Sequence, residues 1–131
     1  MNSFRLILVG TVAGIALSVG ASAAMKSSED IMKVAPQNCR VLLENDRVRV
    51  LESWTKPGER EPMHSHPAYI VYNLSDYSVK FTDPNGAAIT VDAKKGQIGW
   101  FDALQHSVEN VGTSESRALI IEMKQTPSTG D

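Results

Sequence analysis

The chain has 131 residues, 42% of them apolar, with 13 basic and 15 acidic side chains and a formal charge of −2. That balance argues against nucleic acid or an anionic membrane as a partner. Cys39 is the single cysteine, so no intrachain disulfide can form and the fold must rest on a packed core; Cys39 can be buried, free or paired between chains, with burial or partial burial near the first strand the favoured expectation.

Met1-Asn2-Ser3-Phe4-Arg5 carries one positive charge, Leu6 to Val19 is apolar, and Ala21-Ser22-Ala23 closes the stretch. A charged start, an apolar middle and a small-residue cleavage site make residues 1–24 a Sec-type signal peptide, cut after Ala23 or Ala24. Gly, Ala, Ser and Thr dilute the apolar run and no basic flank stops it, which argues against a membrane anchor. The mature chain, left with 12 basic and 15 acidic groups by the loss of Arg5, is expected to be periplasmic or secreted. Residues 25–39 are polar and mixed and read as a flexible arm, in which Ser27-Ser28-Glu29-Asp30 can open a helical turn before Pro36.

From Arg40 onward short alternating segments are separated by turn residues, the pattern of an all-β sandwich or barrel over residues 40–125. Val48, Val50, Glu52 and Trp54 alternate with Arg47, Arg49, Leu51 and Ser53, and Lys56-Pro57-Gly58-Glu59 is a turn. A segment around His64 follows, then Tyr69 to Leu74 and Tyr77 to Thr82. Asp83-Pro84-Asn85-Gly86 joins the last of these to Ala87–Val91 as a hairpin. Lys94-Lys95-Gly96 turns into Gln97–Phe101, and His106–Val111 leads through Gly112 to Arg117–Lys124. In that last strand Leu119, Ile121 and Met123 share one face, and Ala118, Ile120 and Glu122 the other. Residues 126–131 read as a disordered tail.

All three histidines fall in two of these strands, as His64-Ser65-His66 and His106. Side chains at i and i+2 of a strand point to one face, so His64 and His66 can converge on one ion, with His106 supplied by a strand folded back beside them. Histidine is the commonest transition-metal ligand, and although H-x-H alone is a weak signal, no histidine is left over for a purely structural role.

Five residues separate Gly58 from His64-Ser65-His66, and Gly96 turns into a strand that returns as His106-Ser107-Val108-Glu109-Asn110. Together with the Asp-Pro-Asn-Gly hairpin, these segments resemble the two motifs of the cupin superfamily over about Glu44 to Lys124. Glu44-Asn45-Asp46-Arg47-Val48-Arg49-Val50 is similar to the opening strand of small single-domain cupins. The resemblance implies a double-stranded β-helix, or jelly roll, with the ligands gathered inside the barrel. It departs from the family pattern where a glutamate usually follows the second histidine, since Ile70 and Val71, or Tyr69 on another alignment, stand there. Asp102 and Leu104 replace the expected proline and glycine, and Asp76-Tyr77 a glycine turn.

The resemblance implies one divalent transition metal, with Fe, Zn, Mn, Ni and Cu all open, held by His64, His66 and His106. Three neutral imidazoles leave the ion its full charge and leave positions open to water, substrate or dioxygen. That fits a three-His dioxygenase, or a lyase or isomerase, acting on a small anionic chelating metabolite. A non-catalytic small-molecule or metal-binding module is the alternative. Tyr69 or Tyr72 is the candidate phenolic acid, Trp100 or Phe101 an apolar wall, and Asn110 a residue that ties down a loop. Arg47, Arg49 and Arg60 are candidate anion binders but fit a solvated strand face better, and Gln105 stands near the mouth. Met63 points away from His64 and packs. An exposed sheet edge needs covering, which makes a homodimer the expected assembly.

Overall fold

The alternation after Arg40 does build strands. The computed structural model describes residues 29–125, together with the backbone of three short strands nearer the start. In chain order the elements are β1 (Asn2–Arg5), β2 (Ile7–Leu8), β3 (Ala16–Val19), α1 (Ile31–Val34), β4 (Cys39–Glu44), β5 (Val48–Thr55), β6 (Arg60–His66), β7 (Tyr69–Asn73), β8 (Tyr77–Thr82), β9 (Ala88–Ala93), β10 (Ile98–Phe101), β11 (Leu104–Asn110) and β12 (Ser116–Met123). The expected signal-peptide cleavage at Ala23 or Ala24 and the tail 126–131 lie outside the described residues.

Two antiparallel sheets face each other: a six-stranded one in the order β2-β10-β7-β12-β5-β4 and a four-stranded one in the order β6-β11-β8-β9. β1 pairs with β3 apart from them. This is the jelly-roll double-stranded β-helix. Its turns are set by glycines where the backbone needs a positive φ, at Gly58 (83°) and Gly96 (84°), a region that costs glycine little. The hairpin at Asp83-Pro84-Asn85-Gly86 is closed by the Asp83 carboxylate, which accepts from Asn85 N and Ala87 N.

The expected flexible arm is corrected from residue 29 on. Asp30 caps α1 by accepting from Met32 N at 2.8 Å, and Glu29 O accepts from Ser65 N, which pins the segment to the outer edge of β6. Ile31 and Ala35, one helical turn apart, are fully buried against Leu51, Tyr69, Phe101, Leu104 and Ile120. The Asn38 amide donates to Trp54 O and Glu59 Oε2. Thus a single helical turn, too short to show periodicity, plugs the gap between β4 and β6, the edge strands of the two sheets. Cys39 is buried as expected, with its thiol against Ala35 O at 3.4 Å and Met32 Sδ at 3.2 Å, and burial raises its pKa to about 11.

Replacing Ile31 by Ala should therefore lower stability by about 2–5 kcal/mol in urea unfolding. The exposed neighbour Lys33 replaced by Ala should change it by less than about 0.5 kcal/mol.

Candidate metal centre

The three histidines arrive from two neighbouring strands. In the β6–β11 ladder His106 lies directly opposite His64, and Leu104 opposite His66. All three are buried. Their ligating atoms lie within 4.8 Å of one another, slightly more than two metal–nitrogen bonds of roughly 2.1 Å end to end, so a small inward tilt brings them to one ion. The rings stand nearly perpendicular in every pair, at 90° for His64 and His66, 79° for His64 and His106, and 83° for His66 and His106. They meet like the faces of a box corner, which leaves the opposite side of an ion open.

The hydrogen bonds fix which nitrogen is offered. His64 Nδ1 donates to Pro62 O at 2.7 Å, so its Nε2 keeps a lone pair, and that atom is buried with no hydrogen-bond partner. An orphaned acceptor in a buried imidazole is costly unless an ion or ligand takes it. His66 Nδ1 meets Glu122 Oε2 at 2.7 Å, which orients its ring in the same way. Burial and the neighbouring His66 push the His64 pKa down to about 4, and burial with both other rings pushes His106 well below its ordinary value. Both rings are therefore neutral at physiological pH, the form that binds metal.

Behind His66 runs a chain of charges. Arg49 Nε donates to Glu122 Oε1 at 2.6 Å, and its Nη2 donates to Asp30 Oδ2 at 2.6 Å. Burial pushes the Glu122 carboxyl up, but the hydrogen bonds from His66 and Arg49 outweigh it and hold it below the ordinary value. Arg49 is thus not on a solvated strand face as expected: its alternation with Leu51 and Ser53 turns it inward, where two carboxylates neutralise it. Arg60 reaches Ser107 Oγ at 3.3 Å, and neither it nor Arg47 borders the histidines.

The histidines form one part of the wall of a cavity of about 90 Å³ inside the barrel. Tyr69 lines it, packed on His66 with ring centroids 4.7 Å apart and stacked on Phe101 at 4.8 Å and 4°. Burial keeps the Tyr69 phenol protonated. Phe81 stacks on His106. Phe101 is the apolar wall, whereas Trp100 faces away and donates to Asp102. Tyr72 is corrected as a site residue. One step along β7 from Val71, it points out of the sheet and is 40% exposed, away from the cavity. Asn110 ties the loop after β11, donating to Thr55 O and Ser114 O and accepting from Gly112 N. Met63 and Gln105 are absent from the lining, and among the described residues no Lys or Arg belongs to it.

Glu61 and Glu122 were not legible as site residues. Glu122 shares its strand face with Ala118 and Ile120, and an acid on an apolar stripe was its one signal. Glu61 lies three residues before His64, where strict alternation turns it outward. A bulge reverses that: His106 pairs with His64 but Val108 pairs with Glu61, so β6 holds an extra residue at Pro62-Met63. Proline, with no N–H for the ladder, belongs at such a bulge. Glu61 is 3% exposed, accepts from Ser53 Oγ at 3.3 Å, and is pushed up by burial to about 7.

Two outcomes follow from these contacts. Replacing Glu122 by Gln, which loosens the His66 ring and the Arg49 pair, should weaken metal affinity by roughly 10–100-fold in a competition titration with a chelator. Glu61 holds its proton to about pH 7 in the folded chain, against an ordinary value of 4.5. Its contribution to stability is thus full below about pH 4.5 and lost as pH rises through about 7, a loss of order 3 kcal/mol. The metal-free Glu61→Gln variant should gain Tm over the parent at pH 8 but hardly at pH 4.5. An equal gain at both pH values would show that Glu61 ionises without cost.

No protein-family model and no curated protein matches the sequence. Among solved structures, a cupin domain from Bordetella pertussis Tohama I is 25% identical, with a TM-score of 0.61 over 78% of this chain and 100% of that one. The polyketide cyclase RemF from Streptomyces resistomycificus is 20% identical, with a TM-score of 0.53 over 68% of this chain and 66% of that one. A predicted oxalate decarboxylase from Thermotoga maritima is 24% identical, with a TM-score of 0.51 over 66% of this chain and 79% of that one. With its two facing sheets, its glycine turns and this structural likeness, the chain belongs to the cupin superfamily.

Proposed function

We propose that this chain binds one divalent transition metal, of the set Fe, Zn, Mn, Ni and Cu, through His64, His66 and His106, and is a metal-dependent enzyme acting on a small molecule that coordinates the ion. The observation that carries this reading is the corner of three buried, mutually perpendicular imidazoles with the free Nε2 of His64 turned into a cavity. An ion so held supplies a Lewis-acid centre with positions open to substrate, water or dioxygen, which suits dioxygenase-like, lyase or isomerase chemistry.

The chain's own residues do the rest. His64 and His66 are oriented by Pro62 O and Glu122, so the ligand set is preorganised. Tyr69, protonated and locked by its stack on Phe101, offers a hydrogen-bond donor to a bound ligand. Phe81, Phe101, Val71 and Ile120 exclude water around it. The proposal includes a periplasmic or secreted location for the mature chain. It also includes a homodimer formed through the outer side of the six-stranded sheet, where Leu43, Tyr72 and Ile98 are exposed.

Metal content by elemental mass spectrometry tests this, on protein purified from the periplasm without chelator or affinity metal. The parent should carry close to one equivalent and the His64→Ala, His66→Ala double variant almost none, and His106→Ala should abolish turnover of any substrate found while the fold persists. A parent protein that neither carries nor takes up any of the five ions would overturn the proposal and leave a metal-free binding module.

A further inference from the structure

The contacts that aim His66 do not stop at Glu122. Glu122 divides its two oxygens, Oε2 accepting from His66 Nδ1 at 2.7 Å and Oε1 from Arg49 Nε at 2.6 Å. Arg49 Nη2 goes on to Asp30 Oδ2 at 2.6 Å, and Asp30 is the N-cap of α1. Four side chains thus run without a break from a histidine of the corner to the start of the helical turn. Glu122 is buried, whereas Asp30 is partly exposed, so the outer link is the one that water and salt weaken first.

The segment that carries Asp30 also backs the cavity wall. Ile31 belongs to one buried cluster with Tyr69, Phe101 and Ile120, and those three line the cavity together with the histidines. The backbone of the segment meets the barrel at Ser65, whose N donates to Glu29 O, while Lys33 N, Val34 N and Ala35 N donate back into the turn. A single turn has no stability of its own, because helix nucleation is unfavourable. Its docking depends on the burial of Ile31 and Ala35, on the strand contact at Ser65 and on the Asp30–Arg49 pair.

Once His66 is fixed by an ion at its Nε2, its Nδ1–H holds the Glu122 carboxylate, and the carboxylate holds Arg49 where Asp30 meets it. Conversely, a docked segment keeps Arg49 against Glu122 and His66 ordered before an ion arrives. Linkage requires the two effects to be equal in size.

We infer that Asp30 is a positioning residue for the metal, acting through Arg49 and Glu122 on His66, and that docking of residues 29–35 and occupancy of the histidine corner form one coupled equilibrium. The inference rests on the metal reading for the ion itself. It gives the N-terminal segment a regulatory part beyond packing, since the wall behind Tyr69 and Phe101 is held more firmly when metal is bound.

Asp30→Asn separates this role from packing, because asparagine caps a helix as well as aspartate does but brings no charge to Arg49. Zinc affinity, from competition with a chelator, should fall about fivefold in Asp30→Asn with all three histidines intact. In Lys33→Ala it should stay within about twofold of the parent. Hydrogen exchange supplies the reverse measurement. Zinc should slow exchange of the Lys33, Val34 and Ala35 amides of the parent about fivefold beyond any slowing in β8 and β9, and this excess should vanish in Asp30→Asn. Zinc affinity unchanged by Asp30→Asn, or protection of residues 33–35 no greater than that of β8 and β9, would overturn the inference. The comparison within the parent decides alone if the variant does not fold. A parent that takes up no zinc fails the metal reading instead, and the chain of contacts is then measured without metal. The His66 Nδ1 proton, followed by NMR, should exchange with water about fivefold faster in Asp30→Asn than in the parent, and an equal rate would overturn the inference.

Discussion

One half-buried guanidinium ties the parts of this molecule together. Arg49 of β5 holds Asp30 at the cap of α1 with one nitrogen and Glu122 of β12 with another, and Glu122 in turn holds His66. The Asp30 end of this network is 37% exposed and the Glu122 end 3%, so the Arg49–Glu122 contact is the one shielded from solvent and the more costly to break. The helical plug, the six-stranded sheet and the candidate metal centre are thereby coupled. The Asp30–Arg49 contact adds to the burial of Ile31 and Ala35 in placing the helical turn, and Glu122 orients the imidazole ring of His66.

The second constraint is steric rather than electrostatic. A strand alternates its side chains with a period of two, so an odd spacing along β6 cannot put two residues on one face unless the strand is interrupted. Glu61 and His64 are three apart, and the extra residue at Pro62-Met63 lets both point inward. Without it, a register that suited Glu61 would turn His64 and His66 out of the barrel. The bulge also brings Pro62 O within reach of His64 Nδ1, so one irregularity selects both the facing and the tautomer of the first ligand.

These features explain what could be read from the sequence and what could not. The succession of strands, the turns at Gly58, Gly86 and Gly96 and the shared facing of His64 and His66 follow from local rules of period, turn chemistry and side-chain facing, whereas the jelly-roll class follows from the resemblance carried by the two histidine motifs. The inner face of β12 did not follow from hydrophobicity, because Leu119, Ile121 and Met123 form the more apolar set yet face outward, while Ala118, Ile120 and Glu122 face the barrel. Tyr72 and Tyr69 are equivalent phenols in composition, and only the register of β7 separates the outward one from the inward one. Arg49 and Asp30 are nineteen residues apart, and no local pattern shows that one would neutralise the other inside the fold. The short helix from Ile31 was hidden because a single turn buries two apolar residues among polar ones.

The position of Cys39 gives this architecture a built-in clock. Its sulfur lies behind α1, against Met32 and the Ala35 carbonyl, and its raised pKa keeps it a thiol rather than the reactive thiolate. With Cys39 3% exposed, a thiol reagent reaches it in molecules in which the packing around it has opened. Because the chain has a single cysteine, the rate of its modification counts those opening events directly. The same plug is tied through Arg49 and Glu122 to His66, so occupancy of the histidine corner should set how often the gap beside it opens.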